Sequence, residues 1–300
     1  MSRSPLSVVG ALIFVLCFAS CDDLTIDPPR LYPPHIDSDP SWSFDGQTIA
    51  FIHSGVTWVD YGDGTSRSDP DSMGIWTIRP DGSAKQPFIK GALLSPAWSP
   101  DGVWLAFVAG SQVWKIKTNG DSLSQVTHET TNFFPSWSPD GKWIASSTVL
   151  CPGDSTTCGV RITKSDGTES FWVASPASAP DWHPDGKSII FSGIIGNRSG
   201  IVKYDLDGGQ PEMILERAGW QGRLRPKYSP DGQTIAFGRD YHIWLVGSDG
   251  SNARQLTPHN NQGTFSWAPN GEQIVYATTK GLWVINVDGT GNHQLTFPPD

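Results

Sequence analysis

The sequence has few helix-forming segments, few charged residues and few basic residues. No long segment is rich in Ala, Glu, Lys and Leu, which argues against a helical bundle or a coiled coil. Charged residues make up only 17% of the chain, against about 25% in typical soluble domains. The 21 Lys and Arg are outnumbered by 30 Asp and Glu, giving a formal net charge of −9. This acidic balance argues against a nucleic-acid partner, which normally requires a basic face.

Motifs for catalysis and metal binding are also missing. There is no Gly-x-Ser-x-Gly nucleophile elbow, and none of the seven histidines has the spacing of the His-Glu-x-x-His zinc motif. Because these motifs are missing, we predict no catalytic residue, no metal ligand and no cofactor. An enzyme could still assemble its site from residues that lie far apart in sequence.

Turn-forming and aromatic residues are abundant instead. The chain contains 32 Gly, 24 Pro and 14 Trp. Such a composition can supply both a large core and many tight turns, whereas disorder goes with few aromatics and a high net charge. We therefore expect an ordered all-β protein.

Residues 1–20 have the features of a bacterial lipoprotein signal peptide. The apolar run from Val8 to Ala19 is shorter than the ~20 residues that span a bilayer, and it is typical of an export signal. The segment from Phe18 to Cys21 resembles the bacterial lipobox, which implies that Cys21 is lipidated and anchors an exported chain to a membrane. An ordinary secretory signal with a chance cysteine is the alternative. Residues 21–40 are rich in proline and are expected to form an extended linker.

One phrase recurs six times along the remaining sequence, with an average spacing of 45 residues between its aromatic positions. In its fullest form it reads Pro-Ser-Trp-Ser-Pro-Asp-Gly. The six copies are Pro40–Gly46, Pro96–Gly102, Pro135–Gly141, Pro180–Gly186, Pro226–Gly232 and Phe265–Gly271. Six matches in register indicate a structural repeat.

Each repeat contains the pattern of four short strands. Pro-Asp-Gly forms a tight turn, and an alternating strand such as Thr48–Phe51 follows it. A third strand such as Ile75–Ile78 leads to an Asp-Gly or Asn-Gly turn, which is a strong hairpin signal. A short fourth strand ends the unit, as in Gln255–Thr257. Four antiparallel strands repeated six times predict an all-β, six-bladed β-propeller over residues 41–300.

The Trp-Ser-Pro-Asp-Gly phrase followed by Ile-Ala-Phe closely resembles the TolB-type repeat, a WD-like propeller module. The resemblance covers about residues 35–297 and implies a six-bladed propeller in the cell envelope, either periplasmic or at the cell surface. Propellers host both binding modules and enzymes, so the fold does not decide between them. The missing nucleophile and metal motifs favour a monomeric, non-enzymatic scaffold that binds an envelope protein, peptide or cell-wall glycan. Oligogalacturonate lyases share a related propeller and hold a metal with histidines. A carbohydrate-active lyase or hydrolase is therefore the alternative.

Two loops between the second and third strands carry further candidate features. Cys151 and Cys158 bracket a short loop in blade three and are expected to form a local disulfide in an exported protein. Asp60, Asp63, Asp69 and Asp71 lie in the matching loop of blade one, where they could bind calcium. They lack an EF-hand register, so a solvated acidic loop is the favoured interpretation.

Strand order places the uniform Pro-Asp-Gly and Asp-Gly turns on one rim of the propeller. The variable loops lie on the other rim, and loops on a rigid scaffold commonly carry binding residues. We expect this variable-loop face and its channel mouth to bind an acidic peptide or glycan. The candidate partner-binding residues from blades four and five are Asn197, Arg198, Trp220, Gln221, Arg223, Arg225, Arg239, Tyr241 and His242. Neighbouring connections add His128, Asn132, Phe133, Phe134, His259, Asn260, Asn261 and Gln262. Alternatively, the arginines pair with Asp240, Glu216 and Glu129 on a solvated rim.

Changing Cys21→Ser should abolish membrane anchoring, because the thiol is the expected acylation site. The variant should appear as an unprocessed or soluble protein when cells are fractionated and extracted with detergent. Partitioning into the detergent phase to the same extent as wild type would show that the lipoprotein prediction is wrong.

Overall fold

Six four-stranded antiparallel sheets follow one another along the chain, as the repeat predicts. The structure is a computed structural model, and it describes residues 37–59, 66–149, 158–219, 221–258 and 263–297. In each sheet the strands are ordered as a simple meander, so every blade is built from one continuous stretch of chain. Within the described ranges, no helix is long and apolar enough to cross a membrane.

In every blade the strands follow one another in chain order from the innermost, first strand to the outermost, fourth strand. Blade one contains β1 (Asp37–Trp42), β2 (Ile49–His53), β5 (Gly74–Ile78) and β6 (Gln86–Lys90), and blade two contains β7 (Leu93–Trp98), β8 (Trp104–Ala109), β9 (Gln112–Lys117) and β10 (Ser124–Gln125). Blade three contains β11 (Thr131–Trp137), β12 (Trp143–Val149), β13 (Cys158–Lys164) and β14 (Ser170–Ala174), and blade four contains β15 (Ala177–Trp182), β16 (Ser188–Ile195), β17 (Arg198–Asp205) and β18 (Glu212–Glu216). Blade five contains β19 (Lys227–Tyr228), β20 (Thr234–Arg239), β21 (His242–Gly247) and β22 (Arg254–Gln255), and blade six contains β23 (Phe265–Trp267), β24 (Gln273–Thr278), β25 (Gly281–Asn286) and β26 (His293–Gln294). At five of the six junctions the first strands of neighbouring blades contact each other, so the first strands surround the central axis.

The Pro-Asp-Gly turns are held by a serine and an aspartate acting together. In blade three, Ser138 Oγ donates to Asp140 Oδ1 at 2.6 Å and accepts the Trp143 N–H at 2.9 Å. The same Asp140 oxygen accepts the Lys142 N–H at 3.0 Å. Blades one, two and five repeat this network. The sequence phrase therefore recurs because one hydroxyl and one carboxylate satisfy the backbone of a tight turn.

Neighbouring blades are joined through the aromatic residue that precedes each turn. The Trp98, Trp137 and Trp182 indole N–H groups donate to backbone carbonyls of the preceding blade at 3.0–3.1 Å. Trp267 does the same to Lys227 O at 3.2 Å. In blade one, Trp42 instead donates to Gly46 O of its own turn.

The ring closes by side-chain packing between blades one and six. Trp42, Phe51 and Ile78 pack with Val275 and Leu282 in one buried cluster. The Trp42 backbone N–H also donates to Ser266 Oγ at 3.1 Å. Among the described strands, each of these two blades consists of four strands of its own.

Blade one differs from the sequence prediction in two places. Its first strand begins at Asp37, inside the segment 21–40 that we expected to be a linker, because residues 37–38 pair with 52–53 of β2. The second difference is a hairpin of β3 (Val56–Val59) and β4 (Ser66–Ser68) within the acidic loop, followed by a 3-10 turn, Pro70–Ser72. Asp69 Oδ1 accepts the Asp71 N–H at 3.0 Å, and both aspartates are exposed, as expected for a solvated loop. Asp60 and Asp63 lie outside the described residues, so the calcium hypothesis remains untested.

We expect the free energy of unfolding to decrease as the pH falls below about 4. Hydrogen bonds from Ser43, Ser138 and Ser229 lower the pKa of Asp45, Asp140 and Asp231, respectively. A carboxylate whose pKa is lower in the folded chain stabilises it above the unfolded pKa of about 3.9, and this stabilisation is lost on acidification.

Urea unfolding measured from neutral to acid pH would test this. The combined variant Asp45→Asn, Asp140→Asn, Asp231→Asn should have a flatter pH dependence than wild type. Asn is a suitable replacement because Asn270 holds the corresponding turn in blade six, where its Oδ1 accepts the Glu272 N–H at 3.0 Å. Identical slopes for the two proteins would contradict the assignment.

Candidate functional site

The first strands share a bulge at the position three residues before the aromatic residue. Five residues there have a positive φ although none is glycine, which is uncommon for residues with a side chain. They are Asp39 (47°), Ser95 (50°), Phe134 (52°), Ala179 (51°) and Arg225 (38°). Each of them precedes a proline. In the sixth blade Phe265 replaces that proline, and the positive φ falls on Gly263 instead.

The bulge lies near the start of each first strand, at the rim that carries the variable loops. In blades one to four the strand pairing shifts register at this point. Proline cannot donate a ladder hydrogen bond, so a bulge is one of the few places that a strand accepts it. A bulge redirects the adjacent side chain. The bulge positions therefore form a ring around the channel mouth, and each blade places a different side chain there.

Arg225 extends across this mouth from blade five. Its guanidinium carbon lies 4.2 Å from the ring centroid of Phe134 in blade three. Its Nη1 lies 3.5 Å from Asp39 Oδ1 in blade one. Blades one, three and five are alternate members of a six-membered ring, so their side chains can meet only around the axis. Arg225, Phe134 and Asp39, here called the mouth triad, therefore obstruct the channel mouth.

Arg225 is positively charged but incompletely paired. Burial lowers its pKa to about 10; the Asp39 carboxylate opposes this shift, and the neighbouring Arg223 adds to it. A pKa of about 10 leaves the guanidinium charged at neutral pH. Among the residues that the structure describes, none accepts a hydrogen bond from Arg225 Nε. A carboxylate or phosphate oxygen is the natural partner for such a donor.

Asp39 is the residue that sequence reasoning missed at this site. The carboxylate accepts hydrogen bonds from Ser95 N and Oγ at 3.3 and 3.4 Å, and the Asp39 N–H donates to Thr264 Oγ1 at 3.3 Å. Asp39 thus connects blades two and six as well as facing Arg225. We had placed it in the linker, so it was not considered as a channel residue.

A second acidic residue, Asp181, has a different role. Its carboxylate accepts the Tyr228 N–H at 2.9 Å and the Ser136 hydroxyl at 3.1 Å, and Lys227 Nζ lies 3.8 Å away. Burial raises the pKa of Asp181. These contacts join blades three, four and five, so we assign Asp181 to the assembly of the ring.

The other predicted partner-binding residues do not gather at one point. Arg239 pairs with Asp240 at 3.4 Å and stacks on Trp244 at 4.3 Å, and Arg198 lies 3.9 Å from Glu216. These two pairings match the solvated-rim alternative. The third acidic residue of that alternative, Glu129, lies 3.6 Å from Arg161.

Several of these predicted residues are fixed by local contacts or by burial. The Gln221 N–H donates to Asp240 Oδ1 at 2.9 Å, and His242 Nδ1 lies 3.0 Å from Thr257 O. Phe133 is 6% exposed, and its ring centroid lies 6.2 Å from that of Phe134. His128, Arg223 and Tyr241 are exposed.

Some of the predicted residues cannot be placed. Those that lie outside the described residues include Trp220, His259, Asn260, Asn261, Gln262, Cys21 and Cys151. The backbone of Cys158 begins β13, but its side chain is also outside the description. The disulfide and the lipid anchor therefore remain predictions.

The chemistry available at the mouth is that of anion recognition. In the described ranges of the chain, no group of three or more His, Cys, Asp or Glu side chains is arranged to hold a metal ion. The mouth instead offers one buried guanidinium, one carboxylate and one aromatic face. This set can select a negatively charged group by charge and by shape.

Replacing Arg225→Met should lower the free energy of unfolding by about 1–3 kcal/mol, because it leaves the Asp39 carboxylate without its charge partner and Phe134 without its stacked cation. Chemical denaturation measures the change. Arg198→Met is the matched control, because it removes an exposed, longer ion pair that should contribute less than about 1 kcal/mol. Equal effects of the two substitutions would contradict a structural role for the triad.

Sequence comparison relates the chain to known propellers. The profile of the TolB beta propeller domain family matches residues 80–298. An uncharacterized protein of Agrobacterium fabrum is 27% identical over 172 residues, covering 54% of this chain and 57% of that protein. The Tol-Pal system protein TolB of Anaeromyxobacter dehalogenans is 33% identical over 84 residues, or 26% of this chain and 18% of that protein. The chain thus matches less than two thirds of the length of either relative.

Solved structures with the same fold come from proteins with different activities. TolB from Acinetobacter baumannii has a TM-score of 0.66 and 22% identity, covering 81% of this chain and 62% of that chain. An oligogalacturonate lyase in complex with manganese has a TM-score of 0.57 and 15% identity, covering 89% and 80%. At these identities the likeness establishes the fold alone. Because the family profile covers most of the sequence, the chain belongs to the TolB beta propeller domain family.

Proposed function

We propose that the protein is a lipid-anchored, non-enzymatic scaffold that holds a partner at the cell envelope through its variable-loop face. The partner segment that best fits the channel mouth is acidic, as in a peptide with Asp or Glu side chains or a glycan with carboxylates. The observation that carries this proposal is the buried Arg225 guanidinium lying across the mouth with one donor unused by the described residues.

The geometry of the mouth triad favours exchange of Asp39 for a ligand carboxylate. The Arg225–Asp39 distance of 3.5 Å is long for a charge-assisted hydrogen bond, which is usually 2.7–2.9 Å. A carboxylate from a partner could approach Arg225 more closely and engage two of its N–H groups. The stacking on Phe134 would hold the guanidinium plane in position for this contact.

The negative charge of the whole chain restricts binding of an acidic segment to the channel mouth. The chain carries a formal net charge of −9, so a general attraction for acidic ligands is not expected. Arg223 lies close enough to Arg225 to affect its pKa. Two neighbouring guanidinium groups on an acidic body would favour an acidic segment at this one place.

The proposed location in the cell envelope is supported by the predicted signal peptide and by the relatives of this chain. The predicted signal peptide and Cys21 would export and anchor the chain, with residues 22–36 between the anchor and the first blade. The A. dehalogenans relative is by name a protein of the Tol-Pal system, which supports a place in the envelope. A carbohydrate-active enzyme remains the competing hypothesis, and the likeness to a lyase bears only on the fold.

Binding of a fluorescein-labelled peptide of alternating Asp and Ser tests the proposal by fluorescence anisotropy. Wild type should bind this peptide, and Arg225→Met should weaken binding at least about tenfold, which corresponds to about 1.4 kcal/mol. Arg198→Met should bind as wild type does, because its ion pair lies on the outer part of the rim. Unchanged affinity in Arg225→Met would reject the assigned mouth. Conversion of oligogalacturonate to an unsaturated product in the presence of manganese would favour the enzyme.

A further inference from the structure

A second surface lies on the opposite rim, where the Pro-Asp-Gly turns of blades three and four meet. A groove of about 360 Å³ opens there between the two blades. Its apolar walls include Trp143, Phe171 and Trp182, and its polar edge carries Asp140 and Asp185. No lysine, arginine or histidine belongs to its lining, so the groove combines aromatic faces with two acidic groups.

Both acidic groups are held in the charged form. The Ser138 hydroxyl lowers the pKa of Asp140. For Asp185, partial desolvation is outweighed by hydrogen bonds from the Lys187 N–H and His183, so that its pKa is also lowered. Lys142 Nζ lies 3.6 Å from Asp140 Oδ2, and the Lys142 side chain is well exposed. His183 Nδ1 lies 2.8 Å from Asp185 Oδ1, and Lys187 also contributes to the lowered pKa of Asp185. The groove therefore has the charge to attract a cation.

The protein itself shows that this repeat position accepts an ammonium group. Trp104 occupies in blade two the position that Trp143 has in blade three, and Lys115 Nζ lies 4.5 Å from its ring centroid. At Trp143, Lys164 is more distant, at 5.4 Å, and Phe171 packs edge-on at 5.6 Å. A cation over an aromatic face is attracted by the negative charge of the ring face, and the attraction is stronger where the cation is desolvated.

The outer wall of the groove is an unusual edge strand. β14 is the outermost strand of blade three, and its sequence Ser-Phe-Trp-Val-Ala contains no charge and no proline. Phe171 and Trp172 are 42% and 45% exposed. Among the outer strands of the described blades, β6 contains Pro87 and Lys90, β18 has a glutamate at each end, and the others have two residues each. Charges, prolines and short length normally protect edges from pairing, and β14 has none of these.

We propose that β14 and the adjoining groove bind an extended basic segment of a partner protein. The segment would add a strand to β14 by backbone hydrogen bonds, and one Arg or Lys side chain would enter the groove between the aromatic rings and the Asp140 and Asp185 carboxylates. Backbone pairing supplies affinity in this mode of recognition, and the side-chain pocket supplies specificity. The site is on the rim opposite the mouth triad and does not depend on it.

The first experiment measures binding of a fluorescein-labelled peptide of alternating Arg and Val to the full chain. The combined variant Asp140→Asn, Asp185→Asn should bind at least about tenfold more weakly, while Asp45→Asn, Asp231→Asn, which alters the same turns in blades one and five, should bind as wild type. Arg225→Met should also leave this binding unchanged. Equal affinity for a peptide of alternating Glu and Val would overturn the assignment of a basic ligand.

The second experiment tests the strand pairing. N-methylation of alternate residues in the same peptide should abolish binding, because it removes the backbone donors that pair with β14. Hydrogen exchange should show protection of residues 170–174 when the unmodified peptide is bound. Protection confined to other residues would overturn the site. Sedimentation would overturn the proposal if wild type is a dimer and Phe171→Lys is a monomer. The occupant of β14 would then be a second copy of this chain.

Discussion

The aromatic residue before each Pro-Asp-Gly turn is the contact on which the ring depends. In four blades its indole N–H donates to a backbone carbonyl of the preceding first strand, and it packs between the two sheets. One such bond contributes only about 0.5–1.5 kcal/mol net. The hydrogen bond matters mainly because it is directional: it fixes the orientation of each first strand relative to the first strand of the preceding blade. In these four blades the contact sets how the first strand, with the residues just before the aromatic ring, lies around the axis.

Blade five departs from the pattern, and its neighbours compensate. Tyr228 replaces the tryptophan and has no indole N–H. The His183 ring of blade four packs edge-on against it at 4.7 Å, and the Asp181 carboxylate accepts its backbone N–H. Histidine at position 183 is thus explained by the smaller ring beside it, and the Nδ1 still lies 2.8 Å from Asp185 as a serine hydroxyl would. Arg225 comes just before this altered, two-residue first strand.

The repeat made the fold predictable, but it could not identify the mouth triad. A repeat specifies what the blades share: the turn network, the strand order and the aromatic contact. The triad depends on how the blades differ at one position, which is occupied in order by Asp39, Ser95, Phe134, Ala179, Arg225 and Thr264. Arg225 and Phe134 were recognised as candidates from their place in the variable connections, whereas Asp39 was assigned to the linker. The signal is six different residues directly before a position that is proline in five of the six repeats, and alignment of the repeats on the aromatic residue reveals it.

The mouth triad is not the arrangement that packing alone would favour. A guanidinium that is 13% exposed is expensive to desolvate, and its contact with Asp39 is long. Five side-chain-bearing residues around the mouth also have a positive φ, a backbone conformation that costs of order 1 kcal/mol or more for each. An apolar residue at position 225 would avoid this desolvation cost, but it would leave the Asp39 carboxylate without its charge partner. The proposed binding of an acidic segment would account for a charge that is kept at the axis in spite of its desolvation cost.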